Sequence, residues 1–226
     1  MAVIAVLISI LSPALTSIRE SARQVVCRSN MRQIGIGISL YAQDNKDFIP
    51  PSINAPAGQI SSASWQTMEL KIESTYSPTA VWDGLGILYV EEILPAPKLF
   101  YCPSHHGNHP YADYRDSWAG GPGGIVGNYQ YRASGLSQRR STSSPAPRLT
   151  TALGQMVPQT ALVADGMRTQ EDFNHVVGAN VLRASLSVDW WHDPGTFAEN
   201  LPKDGQTLSG EGIEHAWESL DLMPTH

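Results

Sequence analysis

Residues 2–46 read AVIAVLISILSPALTSIRESARQVVCRSNMRQIGIGISLYAQDNK, and a change of character within them decides the fold. Ala2–Thr16 carries no charge and a single proline, Pro13. From Ser17 the chain becomes polar and arginine-rich, yet Cys27, Met31, Ile34, Ile38 and Tyr41 recur at steps of four, three, four and three. That spacing places them on one face of a helix. The stretch 1–46 is therefore expected to be one helix in two environments. Its 2–16 segment, apolar all round, belongs in lipid or a helix bundle; its 17–46 segment is amphipathic and lies on a globular body formed by 47–226. At ~1.5 Å per residue the apolar run reaches roughly 22 Å, short of the ~30 Å hydrocarbon core of a bilayer. No Lys or Arg precedes it, as a secretory signal would require. The expectation is that the natural helix begins further upstream and that Met1 is an internal or late start. A weak signal peptide cleaved near Ala14 or Ala22, and a buried core helix, are the alternatives.

The whole chain of 226 residues has a formal net charge of -6 and a pI near 5.6, which argues against broad nucleic-acid binding. Arg19, Arg23, Arg28 and Arg32 form the one local cationic cluster in the helix. They read as a solvated face, helped by Glu20 beside Arg23, with contact to anionic lipid headgroups as the second reading. With 19 Gly, 16 Pro and 16% charged residues, the body is expected to be rich in turns and uncharged loops. Two cysteines, Cys27 on the helix and Cys102 in LFYCPSHH, allow one disulfide at most. In an oxidising compartment it would tie body to helix and contribute ~2–4 kcal/mol; two separate reduced thiols are the alternative.

Pro50–Pro51 ends the helix. Residues 52–80 read as mostly loop, and 81–104 as a short helical turn and a strand entering Cys102. Residues 105–127 read as an irregular excursion, and 137–148 as an exposed linker. QTALVADG (159–166) reads as a strand running into an Asp165-Gly166 turn, and 179–191 as a second β segment. The 192–226 tail is acidic and turn-rich. The expected class is α+β, a long N-terminal α-helix packed on a small antiparallel β-sheet.

Four blocks resemble the type IV pilin-like proteins of the type II secretion pseudopilin group, in the branch with a C-terminal His-x9-Asp-Gly signature. They are VIAVLISILSPAL with SIRESARQVVCRSNMRQIGIGISLYAQDNKDFIP, then WDGLGILYVEEILPAPKLFYCPS, VPQTALVADG and NHVVGANVLRASLSVDWW, together about half the chain. The family's basic leader, Gly–Phe cleavage point and nearby Glu are absent, because Met1 falls inside the family's helix. The signature is degraded: His175 is followed at the matching distance by Ser185-Leu186 instead of Asp-Gly. A hairpin there would suffer from Leu where Gly accepts positive φ, and Arg183 would spoil an apolar face shared with Val181, Val188 and Trp190. A straight strand would alternate cleanly through Leu182, Ala184, Leu186, Val188 and Trp190. IGIGISLY also alternates like a strand; the resemblance favours helix, with Gly35 and Gly37 expected where helices pack in a fibre.

The resemblance implies a non-enzymatic pseudopilin-like subunit, single-pass in the inner membrane, with its body on the periplasmic or outer side or in a cell-surface fibre. Val3, Ile4, Val6, Leu7, Ile8, Ile10, Leu11, Pro13 and Leu15 would anchor it in lipid and pack against other pilin-like subunits. Cys27 and Cys102 would hold body to helix. No nucleic acid, small-molecule substrate, cofactor or metal is expected as a partner. An exported module binding carbohydrate or another polymer through Trp118, Tyr111 and Tyr114 is the alternative.

Cys102, His105, His106 and His109 form C-x2-HH-x2-H, which has zinc-like ligand types but no second ligand pair, and reads as loop histidines. A metal-dependent enzyme built on that cluster is the third and weakest reading. DWWHD (189–193) with His175 and Asp165 lacks a recognisable nucleophile, base and oxyanion donor. Asp165 is explained more simply by its turn, and Trp190–Trp191 by packing. GGPGGIVG (120–127) lacks the context of a phosphate loop, and DNKD (44–47) the length of a calcium loop. No catalytic residue is expected.

Overall fold

The computed structural model describes residues 2–46, 48–54, 67–73, 80–133, 159–175, 177–193, 195, 197–203, 206 and 210–222. Helix α1 spans Ala2–Asp44, and its side chains are described from Leu15 onward. The packing roles expected of Val3, Ile4, Val6, Leu7, Ile8, Ile10, Leu11 and Pro13 lie outside that range, as does the 137–148 linker. Among the described residues no helix is long and apolar enough to cross a membrane. The single-pass span expected of 2–16 therefore has no support from the helix as described.

The amphipathic half of α1 behaves as its periodicity requires. Cys27, Met31, Ile34, Ile38 and Tyr41 are all buried and belong to one core. Gly35 and Gly37 face the protein's own body: a Cβ at Gly35 would meet Leu182 Cδ1 at 2.9 Å, and one at Gly37 would meet Leu94 Cδ1 at 2.9 Å. Their expected place in fibre contacts is thus corrected, since these glycines let the helix approach its own body closely. The helix ends where Asn45 donates its backbone N–H and its Nδ2 to the Tyr41 carbonyl at 3.0 and 2.9 Å. Lys46 then takes the left-handed conformation, φ 56°, a common helix stop.

The body holds two antiparallel sheets. Strands β1 (Glu69–Ile72), β2 (Val81–Trp82) and β3 (Ile125–Val126) form the smaller, in the order β2-β1-β3. Between β2 and β3 lie the short helices α2 (Ile87–Val90) and α3 (Arg115–Trp118) and the 3₁₀ turn Pro97–Phe100 that leads into Cys102. A strand expected to enter Cys102 is therefore replaced by that turn, which Pro97 starts by presetting φ.

Strands β4 (Tyr129–Tyr131), β5 (Ala161–Asp165), β6 (Gly178–Arg183) and β7 (Val188–His192) form the larger sheet in sequence order. Two helices follow, α4 (Phe197–Asn200) and α5 (Gly210–Asp221). Helix α1 covers one face of this sheet, where Leu182, Ala184 and Val188 join its core. On the other face Ala161, Ala164, Val181 and Trp191 pack with Ile213, Trp217 and Leu220 of α5. Covered on both faces, every residue of β5 and of β6 is buried.

Strands β6 and β7 are a hairpin, with Leu182 opposite Val188 and Val181 opposite Asp189. The straight-strand alternation is overturned. So is the expected grouping of Val181 and Arg183 with Val188 and Trp190, because Val188 lies on the Leu182 side. Arg183 spoils nothing: only 2% exposed, it donates to the carbonyls of Gln159 and Leu220 at 2.6 and 2.7 Å and to Asp189 Oδ2 at 3.2 Å. The turn closes with Leu186 N–H donating to the Arg183 carbonyl at 2.9 Å and Arg183 N–H to the Ser187 carbonyl at 2.8 Å. Leu186 sits at φ 64°. This is a three-residue loop whose last position favours glycine, and Leu186 occupies it in spite of its side chain. The hairpin forms without Asp-Gly in its loop because pairing along β6 and β7 and the burial of β6 on both faces outweigh one strained residue. Leu186→Gly is expected to raise unfolding free energy by roughly 0.5–1 kcal/mol, the left-handed penalty less the extra chain entropy of glycine. A chemical-denaturation midpoint that falls instead would show that Leu186 gains more from its contacts than it loses in strain.

Candidate functional site

The seam between α1 and the larger sheet encloses a cluster of ionisable groups. Cys27, on the buried stripe of α1, is disulfide-bonded to Cys102, with Cα atoms 5.3 Å apart at a sequence separation of 75. Closing a loop of that length costs the unfolded chain about 4 kcal/mol in the chain-entropy account. Beside the disulfide lies His175, which ends the loop between β5 and β6 and is fully buried. Its Nε2 is 3.5 Å from Cys102 Sγ and 3.6 Å from Asp165 Oδ2. Its Nδ1 is 2.6 Å from Glu20 Oε1 of α1. Trp190 of β7 meets the imidazole in a T-shaped contact, centroids 5.4 Å apart.

Asp165, the last residue of β5, has no exposed surface. The expected Asp165-Gly166 turn is corrected: the carboxylate points inward and is held by three donors. Asn180 donates its backbone N–H at 2.6 Å and its Nδ2 at 3.2 Å to Oδ2, and Asn174 donates Nδ2 to Oδ1 at 3.0 Å. Burial raises the Asp165 carboxyl above its ordinary value, while His175 and the Asn donors pull it back. Gly166 is needed for close approach, since a Cβ there would meet the Asp172 carbonyl at 2.5 Å. Ser104 donates its hydroxyl to the Glu20 carboxylate at 2.9 Å. Glu20 thus serves His175 and Ser104, and its expected pairing with Arg23 is a loose 3.9 Å contact at the surface. Arg28 also leaves the solvated face assigned to it, donating Nε and an η nitrogen to the Val188 carbonyl at 3.0 and 2.9 Å.

The C-x2-HH-x2-H stretch, read from the sequence as loop histidines, brings no shared centre together. His105 Nδ1 bonds Asn174 Oδ1 at 2.8 Å, His106 Nδ1 lies near the Ser104 carbonyl at 3.3 Å, and His109 is engaged by Tyr114 and Arg168. The structure instead joins Cys27, Cys102, Asp165 and His175, whose ligand-type atoms all lie within 4.8 Å of one another. Of the signature residues, His175 enters this cluster, whereas Ser185 and Leu186 form the distant hairpin loop. In DWWHD, Asp189 faces Arg183 and Asp193 caps α4 through the backbone N–H groups of Phe197 and Ala198. Sequence reasoning set Asp165 beside His175 but assigned it to a turn, and it placed Glu20 only beside Arg23, although Glu20 lies seven residues before Cys27, two turns along the same helix face.

Trp118, expected as an exposed binding aromatic, is 5% exposed. It stacks on Phe100 and donates Nε1–H to the Tyr101 hydroxyl at 3.0 Å. Tyr111 and Tyr114 are half-buried. Beside them, a groove of about 450 Å³ runs between α1 and the 96–111 segment; Val26, Lys98, Leu99, Tyr111 and Cys102 are among its lining residues.

A family model described as "Protein of unknown function (DUF1559)" matches residues 16–88. That stretch includes Glu20 and Cys27 but not Cys102, Asp165 or His175. No curated protein and no solved structure matches the chain.

Two outcomes are expected from this arrangement. Trp118→Ala should cost ~3–5 kcal/mol of stability, measured by denaturant unfolding, rather than act as a selective loss of binding on an unchanged fold. Burial also holds His105 below its ordinary value of 6.5. Below that pH the unfolded chain takes up a proton that the folded chain still refuses, so stability falls with acidification from about 6.5 to the lower folded value. His105→Gln should flatten the slope of unfolding free energy against pH in this window, and an unchanged slope would assign it to other groups.

Proposed function

We propose that the chain is a non-enzymatic, exported pilin-like subunit that assembles with equivalent subunits through α1, as in a type II secretion or type IV pilus-like fibre. The supporting observation is the face of α1 turned away from the body. Leu15, Ile18, Val25, Ile36 and Leu40 are 51%, 64%, 66%, 58% and 46% exposed. At 100° per residue they fall on one side of the helix, opposite Cys27, Ile34 and Ile38. One face of α1 is therefore consumed by its own body while the other remains an apolar stripe on a helix that extends to Ala2. Each such side chain, already partly covered, would gain about 1–2 kcal/mol if fully buried against a neighbour. The apolar 2–16 segment would continue this contact among partner helices or in lipid, with the body outside the cytoplasm. The match over 16–88 is compatible with a pilin-like or exported surface protein, and it covers the amphipathic part of α1.

The groove beside Tyr111 supports a second reading, an exported module that binds a surface polymer, with Trp118 removed from its binding set by burial. The test is a pair of substitutions on the stripe, Ile18→Asp and Ile36→Asp, in the full chain produced in native cells. Self-association, followed by cross-linking through a cysteine placed at Ser29, should fall at least tenfold while the unfolding free energy stays within about 0.5 kcal/mol of the parent, as for other surface changes. Undiminished cross-linking would sink the fibre reading. Loss of surface-polymer binding on a glycan array in Tyr111→Ala, without change in association, would favour the second.

A further inference from the structure

We propose that reduction of the Cys27–Cys102 bond turns the buried cluster into a closed, zinc-type divalent cation site with Cys27, Cys102, His175 and Asp165 as its ligands. Two thiolates, an imidazole and a carboxylate are a donor set suited to tetrahedral zinc, with bonds of roughly 2.0–2.3 Å. Such bonds set ligand atoms roughly 3.3–3.8 Å apart around one ion. His175 Nε2 already stands at that spacing, 3.5 Å from Cys102 Sγ and 3.6 Å from Asp165 Oδ2. Once the S–S bond is broken, each sulfur can swing about its own Cα–Cβ bond to reach the same spacing without moving the backbone.

The surroundings are those of a built site. His175 presents Nε2 inward because Nδ1 is held by Glu20 at 2.6 Å, the carboxylate–histidine pairing that orients metal-bound imidazoles. Asp165 is fixed by Asn174 and Asn180. All four ligands are buried, which leaves no open coordination position and makes the role structural. Cys102 lines the groove between α1 and the 96–111 segment, which supplies a route for reductant and ion.

The chemistry balances. A two-electron reductant, such as a protein dithiol, becomes a disulfide as Cys27 and Cys102 each gain a hydrogen. Binding of a divalent ion then releases the two thiol protons. The staple between α1 and the body would thus be covalent under oxidising conditions and metal-mediated under reducing ones. This inference is independent of whether α1 assembles into a fibre.

The test uses the full chain, reduced under nitrogen with a water-soluble trialkylphosphine, which becomes the phosphine oxide with oxygen from water. Cobalt(II) is titrated as the probe and then displaced with zinc. The reduced chain should bind one equivalent with a thiolate-to-cobalt charge-transfer band and a tetrahedral d–d spectrum, and the oxidised chain none. Stoichiometric zinc should raise the thermal midpoint of the reduced chain. His175→Gln and Asp165→Asn, chosen to keep shape, should each weaken binding at least tenfold, and Glu20→Gln by roughly 10–100-fold. The proposal fails if the reduced chain, folded or not, takes up no ion, if the bond resists reduction in the native chain, or if His175→Gln and Asp165→Asn bind as the parent does.

Discussion

The burial of one face of α1 against the β6–β7 hairpin is the contact on which the other features depend. Its geometry is set by small residues: Gly35 lets Leu182 rest against the helix backbone, and Gly37 does the same for Leu94. With the two elements this close, Arg28 reaches the Val188 carbonyl and Cys27 reaches Cys102. Two glycines in a helix interior cost about 1 kcal/mol each relative to alanine. That cost is offset by a contiguous core running from Cys27 to Ala42 on α1 and through Leu182, Ala184 and Val188 on the sheet.

A seam this buried makes its polar groups expensive unless they are partnered. Asp165, at the buried end of β5, would be untenable without three donors and a facing imidazole. Arg183 reaches across the other side of the sheet to two carbonyls and Asp189. In both cases the sheet is covered on two faces, by α1 and α5, so a charged side chain on a central strand must carry its partners with it. This concentration of satisfied polar groups beside a disulfide distinguishes the seam from an ordinary apolar interface.

The opposite faces of α1 answer to different needs. The inward stripe is closed by its own body, whereas Leu15, Ile18, Val25, Ile36 and Leu40 on the outward side are about half exposed or more among the described residues. Pairing an occupied face with an exposed apolar one is what the proposed assembly through this helix would require.

Much of the architecture was legible in residue order. The steps linking Cys27, Met31, Ile34, Ile38 and Tyr41 identified the buried face of α1, and ALVAD announced a strand. The β6–β7 hairpin was not legible from pattern, because β6 is buried on both faces and period-two alternation loses its meaning there. Only the resemblance pointed to a turn, and the backbone makes one with Leu186 in a left-handed conformation that favours glycine. Trp118 looked like a surface aromatic because its neighbours in sequence are loop residues, whereas its neighbours in space are Trp82, Tyr89, Phe100 and Tyr101.

The sequence by itself determined the long helix, its two faces and the α+β class, because helical and strand periodicities are local: residues a turn or two apart share a face whatever surrounds them. Only the tertiary structure decided the cluster of Glu20, Cys27, Cys102, Asp165 and His175. Those residues come from α1, a 3₁₀ turn exit, the end of β5 and the loop before β6, and no local period relates them. They meet because seating α1 on the sheet removes water from between them, and an ionisable group so enclosed must find its partners there.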